Sequence, residues 1–218
     1  MKFERSALYS PGTIFLVVAF LAAFLASISL PTLPALEIAR TRFNTILAVD
    51  GVTIDEMRTG VWSGCAYIHG NGRKCTTAAV GYDIGVLSFF DADDDDVKVI
   101  GKSWTRGLIL LPVATFFTLI SLIFALMPGV FNGLVASAMS FFSSLVMLLA
   151  FIVEIILLLR QKDKFGIPGA STHAGAGFWL TFISLIFLFV SGCTVCIRHR
   201  RSKGEDIEMG SFFRRFRR

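Results

Sequence analysis

The stretch Gly60–Ile84, GVWSGCAYIHGNGRKCTTAAVGYDI, decides the fold because it combines a Trp, two Cys and a Gly-rich turn between strongly apolar segments. The chain of 218 residues is 54% hydrophobic and only 17% charged, with a mean hydropathy of +0.69. A soluble domain usually carries about 25% charged residues. The side of a membrane on which this stretch lies therefore determines the chemistry of its two cysteines.

Three long runs of the sequence contain no Asp, Glu, Lys or Arg: Ser6–Leu36, Gly107–Val153 and Phe165–Ile197. A helix needs about 20 apolar residues to cross the hydrocarbon core of a bilayer. The middle run is long enough for two helices, and MPGVFNG at Met127–Gly133 interrupts it with turn-forming residues. One buried soluble core is a poor alternative because soluble helices need a polar face. The runs therefore predict four transmembrane helices.

The predicted organisation alternates membrane-spanning and polar segments. In chain order these are an N-terminus at 1–11, a span at 12–33, a long loop at 34–106, a span at 107–126, a turn at 127–133, a span at 134–159, a second loop at 160–173, a span at 174–197 and a basic tail at 198–218. A cleaved signal peptide is the less favoured alternative for the first span, because its apolar stretch exceeds the usual 7–15 residues.

The distribution of basic residues predicts the orientation. The tail from Arg198 holds eight Lys or Arg, whereas the loop after the third span holds Arg160, Lys162 and Lys164. The positive-inside rule then places both termini in the cytoplasm, and long loops translocate largely regardless of their charge. We therefore expect a multi-pass membrane protein with the segments 34–106 and 160–173 on the outer side of the membrane.

Cys65 and Cys75 face an oxidising space in this orientation, where a disulfide persists. If they lie opposite each other on antiparallel strands, their hairpin is centred on Gly70 with His69–Arg73 as its loop, and their Cα atoms come within bonding range. Two free thiols are the alternative. Upstream, FNTILAVDGVTI predicts another hairpin at Asp50-Gly51. The long loop is therefore predicted to form a small antiparallel sheet.

These residues resemble the outer-loop motif of the claudin-like superfamily, and more closely that of the fungal PalI/eisosome tetraspan family. The resemblance rests on GVWSGCAY, on KCTTAAVGYDI and on the apolar first and fourth spans. Its motif positions here are Gly60, Trp62, Gly64, Gly81 and Tyr82, although Ser63-Gly64 replaces the usual Gly-aromatic or Gly-Leu pair. The resemblance implies an all-α membrane protein: a left-handed bundle of four transmembrane helices with a small extracellular antiparallel sheet, which Trp62 packs against the helix tops.

The resemblance also implies a non-enzymatic accessory role. PalI-type proteins assist a seven-transmembrane sensor of ambient pH, eisosome relatives organise cortical membrane domains, and a third group acts in cell fusion. A homo-oligomer is compatible with each role. The residues themselves contain no nucleophile elbow, phosphate loop or metal-ligand spacing, so we expect no enzyme activity, cofactor or metal.

Glu154 lies within the predicted third span, where a carboxylate is costly and usually faces other helices or water. A structural hydrogen bond to a Ser or Thr is the favoured interpretation, and a pH-responsive group is the alternative. The run DADDDD at Asp91–Asp96 lacks the ligand spacing of an EF-hand and indicates a solvated loop. A cation-influx role would rest on these two features alone and ranks last.

The cytoplasmic end of the fourth span carries Cys193 and Cys196 beside basic residues, an arrangement typical of S-palmitoylation and equally of inert packing cysteines. The last residues alternate Phe with arginines, namely Arg214, Arg215, Arg217 and Arg218. Such a segment is predicted to contact anionic lipids of the inner leaflet, with a plain positive-inside tail as the alternative. Nucleic-acid binding is excluded because the segment is tethered at a membrane.

Overall fold

The computed structural model describes residues 11–49, 52–70, 72–84, 100–127, 130–164 and 170–192, which form four helices and a five-stranded antiparallel sheet. The helices are α1 (Pro11–Ser27), α2 (Lys102–Leu126), α3 (Val130–Lys164) and α4 (Ala176–Gly192). The strands are β1 (Ala39–Val49), β2 (Val52–Thr59), β3 (Gly64–Ile68), β4 (Gly72–Cys75) and β5 (Ala170–Ala174). The prediction of a mostly helical protein with a small antiparallel sheet is confirmed.

The helices carry large apolar side chains on their outer surface. Phe116 is 60% exposed, Phe141 57% and Trp179 56%. Soluble monomers rarely expose continuous apolar surface of this kind. By length and composition α2 and α3 can each cross a bilayer, and the described parts of α1 and α4 are shorter apolar helices. This packing therefore indicates a membrane protein.

Small and hydroxyl-bearing side chains fill the interior of the helix bundle. Hydroxyl groups there join neighbouring helices: Thr118 and Ser143 lie 2.6 Å apart between α2 and α3, and Ser184 donates to the carbonyl of Ala19 on α1 at 2.9 Å. Small residues let helices approach closely in lipid, and hydroxyls can then bond across the contact. The bundle is therefore held by close backbone approach and interhelical hydrogen bonds.

The five strands are ordered β4-β3-β2-β1-β5. Val49 pairs with Val52, which leaves two residues to connect β1 to β2, as the Asp50-Gly51 hairpin requires, although those two residues lie outside the described ones. Strand β5 pairs with β1 from Ala39 opposite Ala174 to Phe43 opposite Ala170. Four residues of this fifth strand come from the segment 160–173, which was predicted to be a loop, and Ala174 comes from the predicted fourth span.

Several helix ends differ from the predicted segments: α2 begins at Lys102 instead of 107, α3 at Val130 instead of 134 and α4 at Ala176 instead of 174. Two further differences have identifiable reasons. Helix α1 ends at Ser27, before Pro31, because Pro cannot continue a helix. Helix α3 continues to Lys164, beyond the predicted end at 159. Arg160 is exposed there whereas Gln161 turns inward, and its Nε2 donates to Thr59 Oγ1 at 2.6 Å. Helix α3 thus extends as far as its contact with the sheet, beyond the end of the apolar run.

One hydrophobic core lies between the sheet and the helix ends. Its buried members come from strands, loops and helices, and include Ile38, Ile54, Met57, Ile84, Ile100, Leu108 and Leu157. Since burial of one such side chain contributes about 1.5–3 kcal/mol, this shared core fixes the sheet on the bundle. We call the five strands and the segments 37–38, 60–63 and 76–84 the sheet module.

Candidate functional site

A disulfide joins Cys65 on β3 to Cys75 on β4, with an S–S distance of 2.03 Å. The two cysteines are direct partners in the strand register, so the predicted bond and its register are confirmed. The connecting loop, His69–Asn71, is shorter than the predicted loop because Gly72 and Arg73 belong to β4. Gly70 and Gly72 both have positive φ, a conformation that glycine adopts without a steric penalty.

Gly64 begins the same hairpin and is held by the residue after Cys75. Its N–H donates to Thr76 Oγ1 at 3.1 Å, and its carbonyl accepts the Thr76 N–H at 2.9 Å. The end of the disulfide hairpin away from its turn is thus closed by hydrogen bonds as well as by the covalent bridge. Gly64 is therefore part of the frame that positions Cys65.

Gly60 and Trp62 bind the C-terminal end of α1. A Cβ at Gly60 would lie 2.6 Å from Leu30 Cβ, so only glycine fits there without a shift. Trp62 Nε1 donates to the carbonyl of Ser27 at 2.7 Å. The last carbonyls of a helix lack partners within the helix, so Trp62 satisfies one of them. This contact agrees with the packing of Trp62 on the helix ends that the family resemblance implied.

Gly81 and Tyr82 bind the start of α2. Gly81 has φ +83°, and a Cβ there would lie 2.5 Å from Arg106 Cγ. The N–H of Tyr82 donates to Thr105 Oγ1 at 2.8 Å, and the Thr105 hydroxyl donates to the Tyr82 carbonyl at 2.7 Å. Burial raises the pKa of the Tyr82 phenol far above its ordinary range.

The sheet module has a further junction with α4 that the sequence did not reveal. The N–H groups of Gly175 and Gly177 donate to the carbonyls of Ile38 and Glu37 at 2.8 and 2.9 Å. A Cβ at Gly175 would lie 2.1 Å from the Glu37 carbonyl oxygen. The signal in the sequence is the GAG pattern at Gly175–Gly177, because small residues permit close backbone approach; the strand beside which these glycines lie is not indicated by it.

One face of the sheet carries a network of arginines and glutamates, which the sequence analysis also missed. Glu56 lies centrally: its Oε1 is 3.0 Å from Arg40 Nε and 2.8 Å from Arg58 Nε. Glu37 accepts a second contact from Arg40 at 2.9 Å, and the Arg58 guanidinium lies over the Tyr67 ring at 4.5 Å. The available signal was the i, i+2 spacing of Arg40 and Arg42 and of Glu56 and Arg58, which places such pairs on one face of a strand.

Glu154 is fully buried between α3 and α4, and its Oε1 accepts the Thr181 hydroxyl at 3.0 Å. Its second oxygen, Oε2, has no hydrogen-bond partner among the described residues. This geometry is that of a structural contact between two helices. Across the described ranges, no group of three or more His, Cys, Asp or Glu side chains is placed to hold a metal ion.

Several predicted features lie outside the described residues. They are the acidic run Asp91–Asp96, the cysteines Cys193 and Cys196, and the tail arginines Arg214, Arg215, Arg217 and Arg218. Their assignments to a solvated loop, to acylation and to inner-leaflet contact stay predictions.

Four motif residues, Gly60, Trp62, Gly81 and Tyr82, therefore lie at the junctions between sheet module and helices, and Gly64 frames the disulfide hairpin. A search of the curated proteins finds no match. The family model of the SUR7/PalI family matches residues 8–194, which include all four helices and the whole sheet module. The chain belongs to the SUR7/PalI family.

Proposed function

We propose that this protein is a four-span accessory protein of the plasma membrane that works by binding other membrane components, without catalysis. Both termini lie in the cytoplasm and the sheet module lies outside the cell. The apolar outer surface of the helices and their hydroxyl-lined interior support four spans. The charge-free runs Ser6–Leu36 and Phe165–Ile197 extend beyond the described parts of α1 and α4 and supply enough length to cross a bilayer.

The single observation that carries the accessory role is the number of independent junctions between sheet module and helices. Trp62 binds α1, Tyr82 binds α2, Thr59 binds α3 through Gln161, and Glu37 binds α4 through Gly177. A sheet held at each helix cannot turn independently of the bundle. Such a rigid platform suits the alignment of a partner relative to the membrane.

The first candidate partner is a seven-transmembrane sensor of ambient pH, as the resemblance to PalI-type proteins implies. The test is affinity purification of the tagged chain in mild detergent, followed by identification of the co-purified proteins. We expect a seven-span receptor with the wild-type chain, and less of it with Gly175→Ala, which disturbs the junction with α4. Gly101→Ala is the matched control because a Cβ there meets nothing within 4 Å.

Deletion of the protein should then slow growth and signalling at alkaline pH. Absence of any receptor from the purified complex, together with normal alkaline growth of the deletion strain, contradicts this role. Either result alone is weaker, because an accessory protein can be partly redundant or can dissociate in detergent.

The second candidate function is the organisation of stable cortical membrane domains. The observation that favours it is the aromatic surface of the bundle, where Phe117 and Phe142 form an edge-on pair between α2 and α3 at 5.0 Å, beside the exposed Phe116. Aromatic surfaces of this kind support lateral contacts with lipids or with a second copy. Immobile patches in fluorescence recovery experiments support this function, and diffuse, freely recovering fluorescence refutes it.

A further inference from the structure

The two faces of the sheet differ in chemistry because cross-strand partners share a face. The face toward the helices carries buried residues, including Ala39, Thr41, Met57 and Ala66. The strand register places a different set on the opposite face, which we call the charged face: Arg40, Arg42, Glu56, Arg58, Tyr67, Arg73 and His173. The charged face therefore points away from the bundle.

Positive charge is in excess on the charged face. It carries four arginines, whereas Glu56 and the neighbouring Glu37 supply two carboxylates, and the side chain of Glu37 is only 4% exposed. Arg40 and Arg58 are held by these two carboxylates at 2.8–3.0 Å. The two remaining arginines, Arg42 and Arg73, thus provide the positive charge that the two carboxylates leave unbalanced.

Arg42 is the most accessible member of the network. Its side chain is 56% exposed, and its Nε reaches Glu56 Oε2 at 3.8 Å, which is longer than a hydrogen bond. Arg73 is exposed on β4, opposite Tyr67 in the strand register. The guanidinium groups of Arg42 and Arg73 therefore have N–H donors for a ligand, whereas Arg40 and Arg58 are held in place by carboxylates. An incoming anion would therefore meet a largely preorganised surface.

We infer that the charged face is a docking surface for an acidic peptide segment of a partner protein. The guanidinium fork can match a carboxylate through paired hydrogen bonds. Glu37 and Glu56 already accept hydrogen bonds from Arg40 and Arg58, so this surface binds carboxylates within the chain itself. Charge complementarity thus selects a carboxylate-rich ligand. A peptide is favoured over lipid headgroups because the charged face lies on the side of the sheet opposite the helices. The inference rests on the proposed accessory function and names the chemistry of its partner.

The test uses the full-length chain in nanodiscs of neutral phosphatidylcholine, with a fluorescent hexa-aspartate peptide as the probe and hexa-asparagine as its neutral control. We expect binding of hexa-aspartate only, weakening with added salt. Arg42→Gln should lower the affinity about threefold, and Arg42→Gln with Arg73→Gln about tenfold. The matched control is Lys164→Gln, which removes an exposed cation at the C-terminal end of α3. Lys164 is not part of the charged face, so this substitution should leave the affinity unchanged.

Several results overturn the inference. One is equal binding of hexa-aspartate and hexa-asparagine, and another is an equal loss in Arg42→Gln and Lys164→Gln. Tighter, Arg42-dependent binding of polygalacturonate indicates a polysaccharide as occupant, and binding that requires phosphatidylserine in the disc indicates lipid. Because Arg42 and Arg73 are exposed, we expect their substitution to leave the unfolding temperature unchanged. That measurement checks that the variants are folded.

The outcome separates this inference from the proposed function. If the peptide does not bind but the receptor still co-purifies, the charged face is not the docking surface and the accessory role stands. If the peptide binds in an Arg42-dependent manner and no receptor co-purifies, the surface is real and the proposed partner is wrong.

Discussion

The phenol of Tyr82 donates a hydrogen bond of 2.5 Å to the backbone carbonyl of Gly60, a residue 22 positions earlier in the chain. Gly60 lies against the end of α1, and Tyr82 is bonded to Thr105 at the start of α2. This one bond therefore connects the attachments of the sheet module to two helices. The Gly-Val-Trp and Gly-Tyr elements of the motif thus connect the sheet module to the helices.

Replacement of Trp62 by Phe keeps an aromatic side chain but replaces the indole with a smaller phenyl ring that has no N–H. The Ser27 carbonyl then loses its donor, and we expect the free energy of unfolding to fall by about 1 kcal/mol. Thermal unfolding in detergent measures this loss. Trp179→Phe is the matched control, because Trp179 is exposed and its ring packs edge-on against Phe178 and Phe182. Equal effects of the two substitutions would show that the joint at Ser27 contributes nothing.

The disulfide should stabilise the sheet module by constraining the unfolded chain. Closure of so short a loop contributes about 3 kcal/mol in the chain-entropy description. In a Cys193→Ser/Cys196→Ser background, we expect reductant to lower the unfolding temperature, and no such effect once Cys65 and Cys75 are both replaced by Ala. A membrane-impermeant thiol reagent should label the background protein on intact cells only after reduction. Labelling without reduction contradicts the bond, and no labelling after reduction contradicts its exposure outside the cell.

The disulfide hairpin was predictable because all of its determinants are local. The spacing of Cys65 and Cys75, with Gly70 midway, fixes the register and the centre of the turn, although the loop is two residues shorter than predicted. Strand β5 was not predictable from such signals. Its five residues pair with β1 about 130 positions earlier, and the sequence Ala170–Ala174 has no alternation strong enough to indicate a strand.

The helices show the same division between local and non-local determinants. Hydropathy predicted four apolar helices, because each needs only its own composition to be identified. The continuation of α3 beyond Leu159 depends on Gln161 and its contact with Thr59, a residue 102 positions away. No window of the sequence contains both residues, so the end of α3 could not be derived from the apolar run.

Gly175→Ala should destabilise the protein more than any other single methyl addition at the sheet–helix junctions. Its Cβ would come within 2.1 Å of the Glu37 carbonyl oxygen, a backbone atom that cannot turn aside. Overpacking of this kind costs about 1–3 kcal/mol. Gly101→Ala, whose Cβ is in open space, should leave the free energy of unfolding unchanged or raise it slightly. If both variants unfold at the same temperature, the close approach of α4 to β1 is absent in solution.

Glu154→Gln should preserve both stability and function, since the amide oxygen can still accept the Thr181 hydroxyl. Thr181→Val removes the donor and should lower the free energy of unfolding by about 1 kcal/mol, within the range found for interhelical hydrogen bonds in membranes. Thermal unfolding and growth at alkaline pH are the two measurements. A Glu154→Gln variant that folds normally but loses the alkaline response would assign the carboxyl a titrating role.

Tyr82 predicts how stability depends on pH at the alkaline end. Burial raises the pKa of its phenol in the folded state, whereas an exposed phenol in the unfolded chain ionises near pH 10. Below about pH 10 both states hold the proton, so Tyr82 gives no pH dependence there. Above it the unfolded state releases the proton first, and stability falls as pH rises.

Tyr82→Phe should have a lower unfolding temperature than the wild type, because the hydrogen bond to Gly60 is gone. Since this variant has no phenolic proton at position 82 to lose, its unfolding temperature should decline less steeply between pH 9.5 and 11. Tyr67→Phe, at a partly exposed position of the sheet, is the control and should keep the steep wild-type decline. A Tyr82→Phe profile parallel to that of the wild type would mean that the phenol does not remain buried in the folded protein.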